Sequence, residues 1–152
     1  MIDLYKIIQK FHTSLNVPTG IDSEKLLIAL ATVESSFGQN NVPRYEPAYG
    51  PGGKYYAVDH VKRAYQSWGA WAACSYSSFQ ILFIVARELG FQGTPGALWD
   101  DKVALPFVIS YLNVRVFGKG AVTIEQVADA YNSGSYKDQI VTAYNNAEVL
   151  IV

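Results

Sequence analysis

The stretch DSEKLLIALATVESSFG, Asp22 to Gly38, decides the fold. Its apolar residues Leu26, Leu27, Leu30, Val33 and Phe37 recur with a helical period of about 3.6 residues. Asp22 or Ser23 supplies the N-cap, and Gly38 the stop. One residue breaks the pattern. Glu34 lies four residues after Leu30 and seven after Leu27, so it points with the buried stripe and not with the solvated face. It also stands in the last turn, where the helix dipole is negative. Burial and dipole both disfavour a charged carboxylate, so the position predicts a raised pKa. A carboxylic acid kept protonated near neutral pH is what a general acid requires. The plainer alternative is a helix-end glutamate that snorkels to water or pairs with Lys or Arg.

The flanking sequence continues the helical theme. A first helix is expected from Asp3 to about Ser14, with Leu4, Ile7, Ile8 and Phe11 inward, broken by the turn Val17-Pro18-Thr19-Gly20. After Gly38 the periodicity disappears. Residues 38–57 are rich in proline and glycine and read as a long irregular loop or a short β-hairpin, and loops of that length in a compact domain are commonly functional. A helix resumes near Val58, with Val61, Ala64, Tyr65 and Trp68 on one side. Ser77 or Ser78 is expected to cap the next helix, which buries Phe79, Leu82, Phe83, Ala86 and Leu89 and stops at Gly90. Thr94-Pro95 pairs an N-cap with proline at the first helical position. The run from Lys102 to Phe117 is apolar nearly all round and reads as the central buried helix, starting near Leu105 with Pro106 in its first turn. Asp100 and Asp101 then serve only as caps. Thr123 to Gln126 forms a capping box for a helix reaching Asn132. A last helix covers about Tyr136 to Ala147. Strand-like alternation is nearly absent, so the fold class is mainly α.

The bulk properties narrow the function. A chain of 152 residues suits one domain spanning 1–152. Half the residues are hydrophobic and 16% are charged, which excludes a disordered chain. No apolar run is long enough to insert into a membrane. A net charge of −1 gives no support for a nucleic-acid partner. Cys74 is the only cysteine, so no intrachain disulfide forms. His12 and His60 match no zinc spacing, and neither a metal nor a cofactor is expected. Eleven tyrosines and three tryptophans supply core and boundary residues and would equally suit stacking on sugar rings. The amphipathic N-terminus lacks the uninterrupted apolar core of a signal peptide, which predicts synthesis in the cytoplasm or a piece of something exported by another route.

Three short segments stand out together: Glu34-Ser35-Ser36-Phe37 at a helix end, Cys74 to Ile81 at a helix start, and Ala130-Tyr131-Asn132-Ser133-Gly134 at another helix end. In that order and spacing they resemble the soluble lytic transglycosylase and goose-type lysozyme group of the lysozyme-like superfamily, and phage-type peptidoglycan hydrolases in particular. The resemblance covers about Ile21 to Tyr144. Each motif alone is weak, while the ordered set is fairly specific. One departure is Ser77, where the group usually has glycine; a serine there is expected to narrow the groove or change the turn.

The resemblance implies a lysozyme-like helical domain that cleaves the bond between N-acetylmuramic acid and N-acetylglucosamine in peptidoglycan. Glu34 would be the catalytic acid. Gln80 would line the groove and bind substrate, Tyr131 would bring its hydroxyl to the glutamate, Asn132 would stand close to the cleft, and Ser35 would contact backbone or sugar. The plain alternatives are a solvated Gln80, a core Tyr131, and helix-end or surface roles for Asn132 and Ser35. Lysozymes usually use a second carboxylate, for which Glu46 and Asp59 are the candidates; Asp59 is equally a first-turn helix acid, and Arg44 can pair with Glu46 and make it structural. Lytic transglycosylases use one glutamate as acid and then base. The partner implied is the peptidoglycan strand, met by a monomer that reaches the bacterial wall through a phage lysis system or as part of a virion. A non-catalytic glycan-binding or phage assembly module on the same scaffold is the alternative.

Overall fold

The computed structural model describes residues 2–149, apart from the side chains of residues 2, 132 and 133. Among the described residues the fold is mainly helical, with a small antiparallel sheet. Helices α1 (Ile2–Phe11) and α2 (Ser23–Ser35) come first. Strand β1 (Arg44–Tyr45) lies in the irregular segment, followed by α3 (Asp59–Trp68), β2 (Cys74–Tyr76), β3 (Ile81–Leu82) and α4 (Phe83–Glu88). The chain closes with α5 (Asp101–Tyr111), α6 (Ile124–Ala130) and α7 (Lys137–Asn146). None of the described helices is long and apolar enough to cross a membrane.

Helix α2 is the axis of the molecule. Asp22 caps it, its carboxylate accepting from the Lys25 N–H at 3.0 Å, and the Asp22 N–H donates to the Tyr144 hydroxyl of α7 at 2.8 Å. Every residue from Leu26 to Ala31 is buried. Burying the Leu26, Leu27 and Leu30 side chains stabilises the fold by about 2 kcal/mol each. The expectation that the Lys102–Phe117 run is the central helix is therefore corrected. That run keeps an exposed face at Lys102, Pro106 and Val114, and it leaves α geometry for a π turn at Leu112–Val116. Its start is also corrected. Asp100 caps α5 by accepting from the Lys102 N–H at 2.9 Å, and Pro106 lies inside the helix. The proline removes the bond to the carbonyl four residues back, but it sits on the exposed side, where water can take that carbonyl.

The largest correction concerns residues 74–82. They form a hairpin and not a helix start. Strands β2 and β3 pair antiparallel, with Ser75 opposite Leu82 and Tyr76 opposite Ile81, and β1 adds to the far edge with Arg44 opposite Ser75. The irregular segment 38–57 thus contributes one strand, whose partner lies some thirty residues on. Helix α4 begins only at Phe83, after Leu82.

The turn that joins β2 to β3 lies inside the protein but for Gln80: Ser77, Ser78 and Phe79 have no exposed surface. A buried turn must find partners for its backbone groups. Ser78 donates from its N–H and its hydroxyl to the two carboxylate oxygens of Asp101, at 2.8 and 2.7 Å. The Ser78 carbonyl faces the Ser35 hydroxyl of α2 at 2.7 Å. The Phe79 carbonyl accepts from the Tyr131 hydroxyl at 2.9 Å. Asp101 is therefore not a cap but an anchor of the turn. Ser77 adopts φ +75 and Gln80 φ +52, a region that side chains other than glycine seldom occupy. That left-handed turn, and not proximity to a sugar, is the physical demand at position 77. Ser77 is buried and cannot narrow a groove.

One hydrophobic cluster runs from Leu4 through α2 and the hairpin to Ile140. The aromatic chain Trp68–Phe83–Phe91–Phe107, with ring centroids 5.3–6.3 Å apart, fills it beneath α4 and α5.

Candidate active site

The end of α2 sets the position of Glu34. Ser36 turns left-handed at φ +52, and the Phe37 N–H returns to the Ala31 carbonyl at 3.0 Å. The helix stops there, two residues before the expected Gly38. Glu34 is 2% exposed, as the apolar stripe predicts. It lines a cleft of about 440 Å³ together with Arg44 and Glu46 of the β1 segment, Ser75, Gln80, Ile81 and Leu82 of the hairpin, and the tyrosines 49, 55, 111, 131 and 136. A second, shallower hollow of about 410 Å³ lies against the same glutamate, bounded by Val33, Ser35, Ser36, Asn40, Arg44 and Tyr136. Glu34 and Arg44 thus stand where the two hollows meet.

Two influences oppose each other at Glu34. Burial favours the neutral acid, whereas the Arg44 guanidinium, with Nη1 3.9 Å from Oε2, favours the carboxylate. Arg44 Nη2 also donates to the Glu34 backbone carbonyl at 2.5 Å. Of the alternatives open for Arg44, the ion pair is made with Glu34 and not with Glu46, although the Arg44 charge also reaches Glu46. Burial raises the Glu46 carboxyl above its ordinary value, and the Arg44 charge and a hydrogen bond with Ser75 only partly offset it. Glu46 is in the cleft. Asp59 is not: it is exposed at the first turn of α3 and lines neither hollow.

The remaining expected residues divide. Tyr131 lines the cleft and is buried, with its ring edge-on to Tyr111 at 5.8 Å. Its hydroxyl proton goes to the Phe79 carbonyl, and so it is not available to the Glu34 carboxyl as a donor. Burial first, then the charge of Glu34, hold its phenol well above the usual value, and burial likewise raises Tyr49 and Tyr111. These groups are neutral hydrogen-bonding walls. Gln80 lines the cleft, but its amide is engaged within the hairpin. Oε1 accepts from the Ser75 hydroxyl at 2.8 Å, and Nε2 donates to the Ser77 carbonyl at 2.8 Å and the Val42 carbonyl at 3.3 Å. It latches the turn to the β1 segment, with one amide lone pair left for a ligand. Ser35 is 1% exposed. Its hydroxyl meets the Ala31 and Ser78 carbonyls and accepts from the Gly38 N–H at 2.8 Å. It is a structural pin and not a sugar contact. The side chain of Asn132 lies outside the described residues.

Sequence reasoning did not single out Tyr49, Tyr55, Tyr111, Tyr136 or Ser75. The tyrosine excess was a signal for them, because five of the eleven tyrosines line this one cleft. Among the described residues no group of three His, Cys, Asp or Glu side chains is placed to hold a metal ion. Compared with family models, curated proteins and solved structures, the chain matches none.

Proposed function

We propose that the chain is a peptidoglycan-cleaving glycosidase acting on the β-1,4 bond from N-acetylmuramic acid to N-acetylglucosamine, with Glu34 as general acid and base. The observation that carries this reading is a carboxyl 2% exposed at the meeting point of two hollows, beside a wall of neutral phenols. A glycan strand laid across the junction brings its glycosidic oxygen to a buried carboxyl able to protonate it as the bond breaks. Apolar faces of the tyrosines suit sugar rings, and their hydroxyls suit acetamido and hydroxyl groups. Water or the sugar's own 6-hydroxyl then completes the reaction, giving lysozyme or lytic transglycosylase chemistry. Glu46 is the second carboxylate available for a water-activating role, since it lines the cleft and burial raises its pKa, which makes its ionised form a stronger base.

Glu34→Gln tests the reading. Turnover of purified cell walls should be lost while the helical circular dichroism is kept; full clearing by the variant would overturn it. Mass spectrometry of the wild-type digest distinguishes the two chemistries, because anhydro products are lighter by one water.

A second reading has a specific observation behind it. Arg44 close to Glu34 favours the ionised carboxylate, which does not donate a proton. A non-catalytic glycan-binding or phage assembly module is compatible with that pairing. Wild-type protein that binds peptidoglycan over hours without releasing muropeptides selects this second reading.

A further inference from the structure

We propose that Arg44 recognises an anionic substituent carried by the sugar next to the scissile bond, the free lactyl carboxylate of a muramic acid residue that bears no peptide stem. The inference rests on the glycan reading of the cleft and assigns its substrate preference to one side chain.

Among the described residues that line either hollow, Arg44 is the only cation. It stands at their junction, so a strand crossing Glu34 passes it whichever way the strand runs. Its side chain is 36% exposed, while that of Glu34 is 2% exposed, so an incoming anion meets the guanidinium before the acid. The bond from Nη2 to the Glu34 carbonyl and the pairing of β1 with β2 hold the group in place before a ligand arrives, which lowers the ordering cost of binding. A guanidinium carries five N–H donors in a planar fork that matches a carboxylate. The ion pair with Glu34, at 3.9 Å, is longer than a charge-assisted hydrogen bond, so a ligand carboxylate at bonding distance competes well for the same charge. The other walls are phenols, amide and apolar groups, and Glu46 repels an anion. A carboxylate entering this cleft therefore has one place to go.

The test compares two probes by isothermal titration: the N-acetylglucosamine–N-acetylmuramic acid disaccharide, and the same disaccharide with its lactyl carboxylate methyl-esterified. Wild-type protein should bind the free acid about tenfold more tightly, the size of one hydrogen bond to a charged group. In Arg44→Gln the ratio should fall toward one, and added salt should erode it in the wild type. A wild type that binds both forms equally overturns the inference whether or not the variant folds. So does a preference that survives in Arg44→Gln or, should that variant not fold, in Arg44→Met. Binding is read without turnover, so the proposed cleavage and the role of Arg44 fail separately. Wild-type protein that binds neither probe overturns the glycan reading and this role together.

Discussion

Replacing Asp101 by alanine tests the claim that the hairpin turn is held from outside. The carboxylate accepts two hydrogen bonds from Ser78, at 2.8 Å from the N–H and 2.7 Å from the hydroxyl, and Ser78 has no exposed surface. Alanine leaves a buried backbone N–H with no acceptor, which costs about 1–3 kcal/mol, and removes a second bond worth about 1.5 kcal/mol because the acceptor is charged. The destabilisation expected is about 3 kcal/mol. For a chain of this length each kcal/mol moves the midpoint by about 2–4 °C, so the melting temperature should fall by roughly 9 °C. Asparagine keeps an acceptor for the N–H and presents an amide to the hydroxyl, so Asp101→Asn should lose about half as much. Thermal unfolding followed by circular dichroism measures both. An Asp101→Ala midpoint within about 1 °C of wild type would refute the reasoning, because it would mean that the turn stands without its anchor.

Three more outcomes follow from the same geometry. Glu46→Gln should stabilise the protein at pH 7 relative to pH 4. Its carboxyl is raised above 4.5 by burial, so its contribution is fully present below that value and is lost as pH rises through the folded-state pKa; urea midpoints at the two pH values check this. Glu88 shows the opposite sign. Burial raises it, but hydrogen bonds from Arg115 at 2.8 Å and with His60 at 2.7 Å outweigh that and bring it below 4.5. Its stabilisation is present above 4.5 and lost as pH falls through the folded value, so Glu88→Gln should flatten the acid limb of the stability curve. At position 77, glycine relieves the strain of φ +75 but gives up the bond from the Phe79 N–H to the serine hydroxyl, so Ser77→Gly should change stability by less than about 1 kcal/mol, whereas the β-branched Ser77→Val should cost about 2 kcal/mol or more. Chemical denaturation of both variants decides it.

The helices were legible where one physical signal acted alone. The period of α2 placed Glu34 in the interior, and Thr123 with Gln126 formed the capping box in full. The hairpin was not legible, because its left-handed turn uses serine and glutamine where glycine would have announced it. The run CSYSS reads locally as a helix cap, and what overrides that reading is Asp101, 23 residues away. The same distance effect hid the structural partners of Ser35 and Gln80. Both have the polarity of ligand-binding residues, yet each also bonds a distant backbone carbonyl, that of Ser78 for Ser35 and that of Val42 for Gln80, brought close only by the tertiary fold. Pro106 followed the local rule for a helix start, and the bonds that Asp101 accepts from Ser78 at the observed start of α5 are not a local property. Glu46 and Asp59 were equal candidates because nothing in their neighbours distinguishes a cleft wall from a solvated helix end.

The turn at residues 77–80 is gripped by Ser35, Asp101 and Tyr131, drawn from three separate stretches of chain. It therefore cannot loosen by itself. Amide protons within it should exchange only when the whole molecule opens, leaving the cleft without a soft hinge at its base. A chain cut off before residue 101 retains all of β2 and β3 but loses two of the three grips, so a cleft assembled during synthesis must wait for the C-terminal third to arrive.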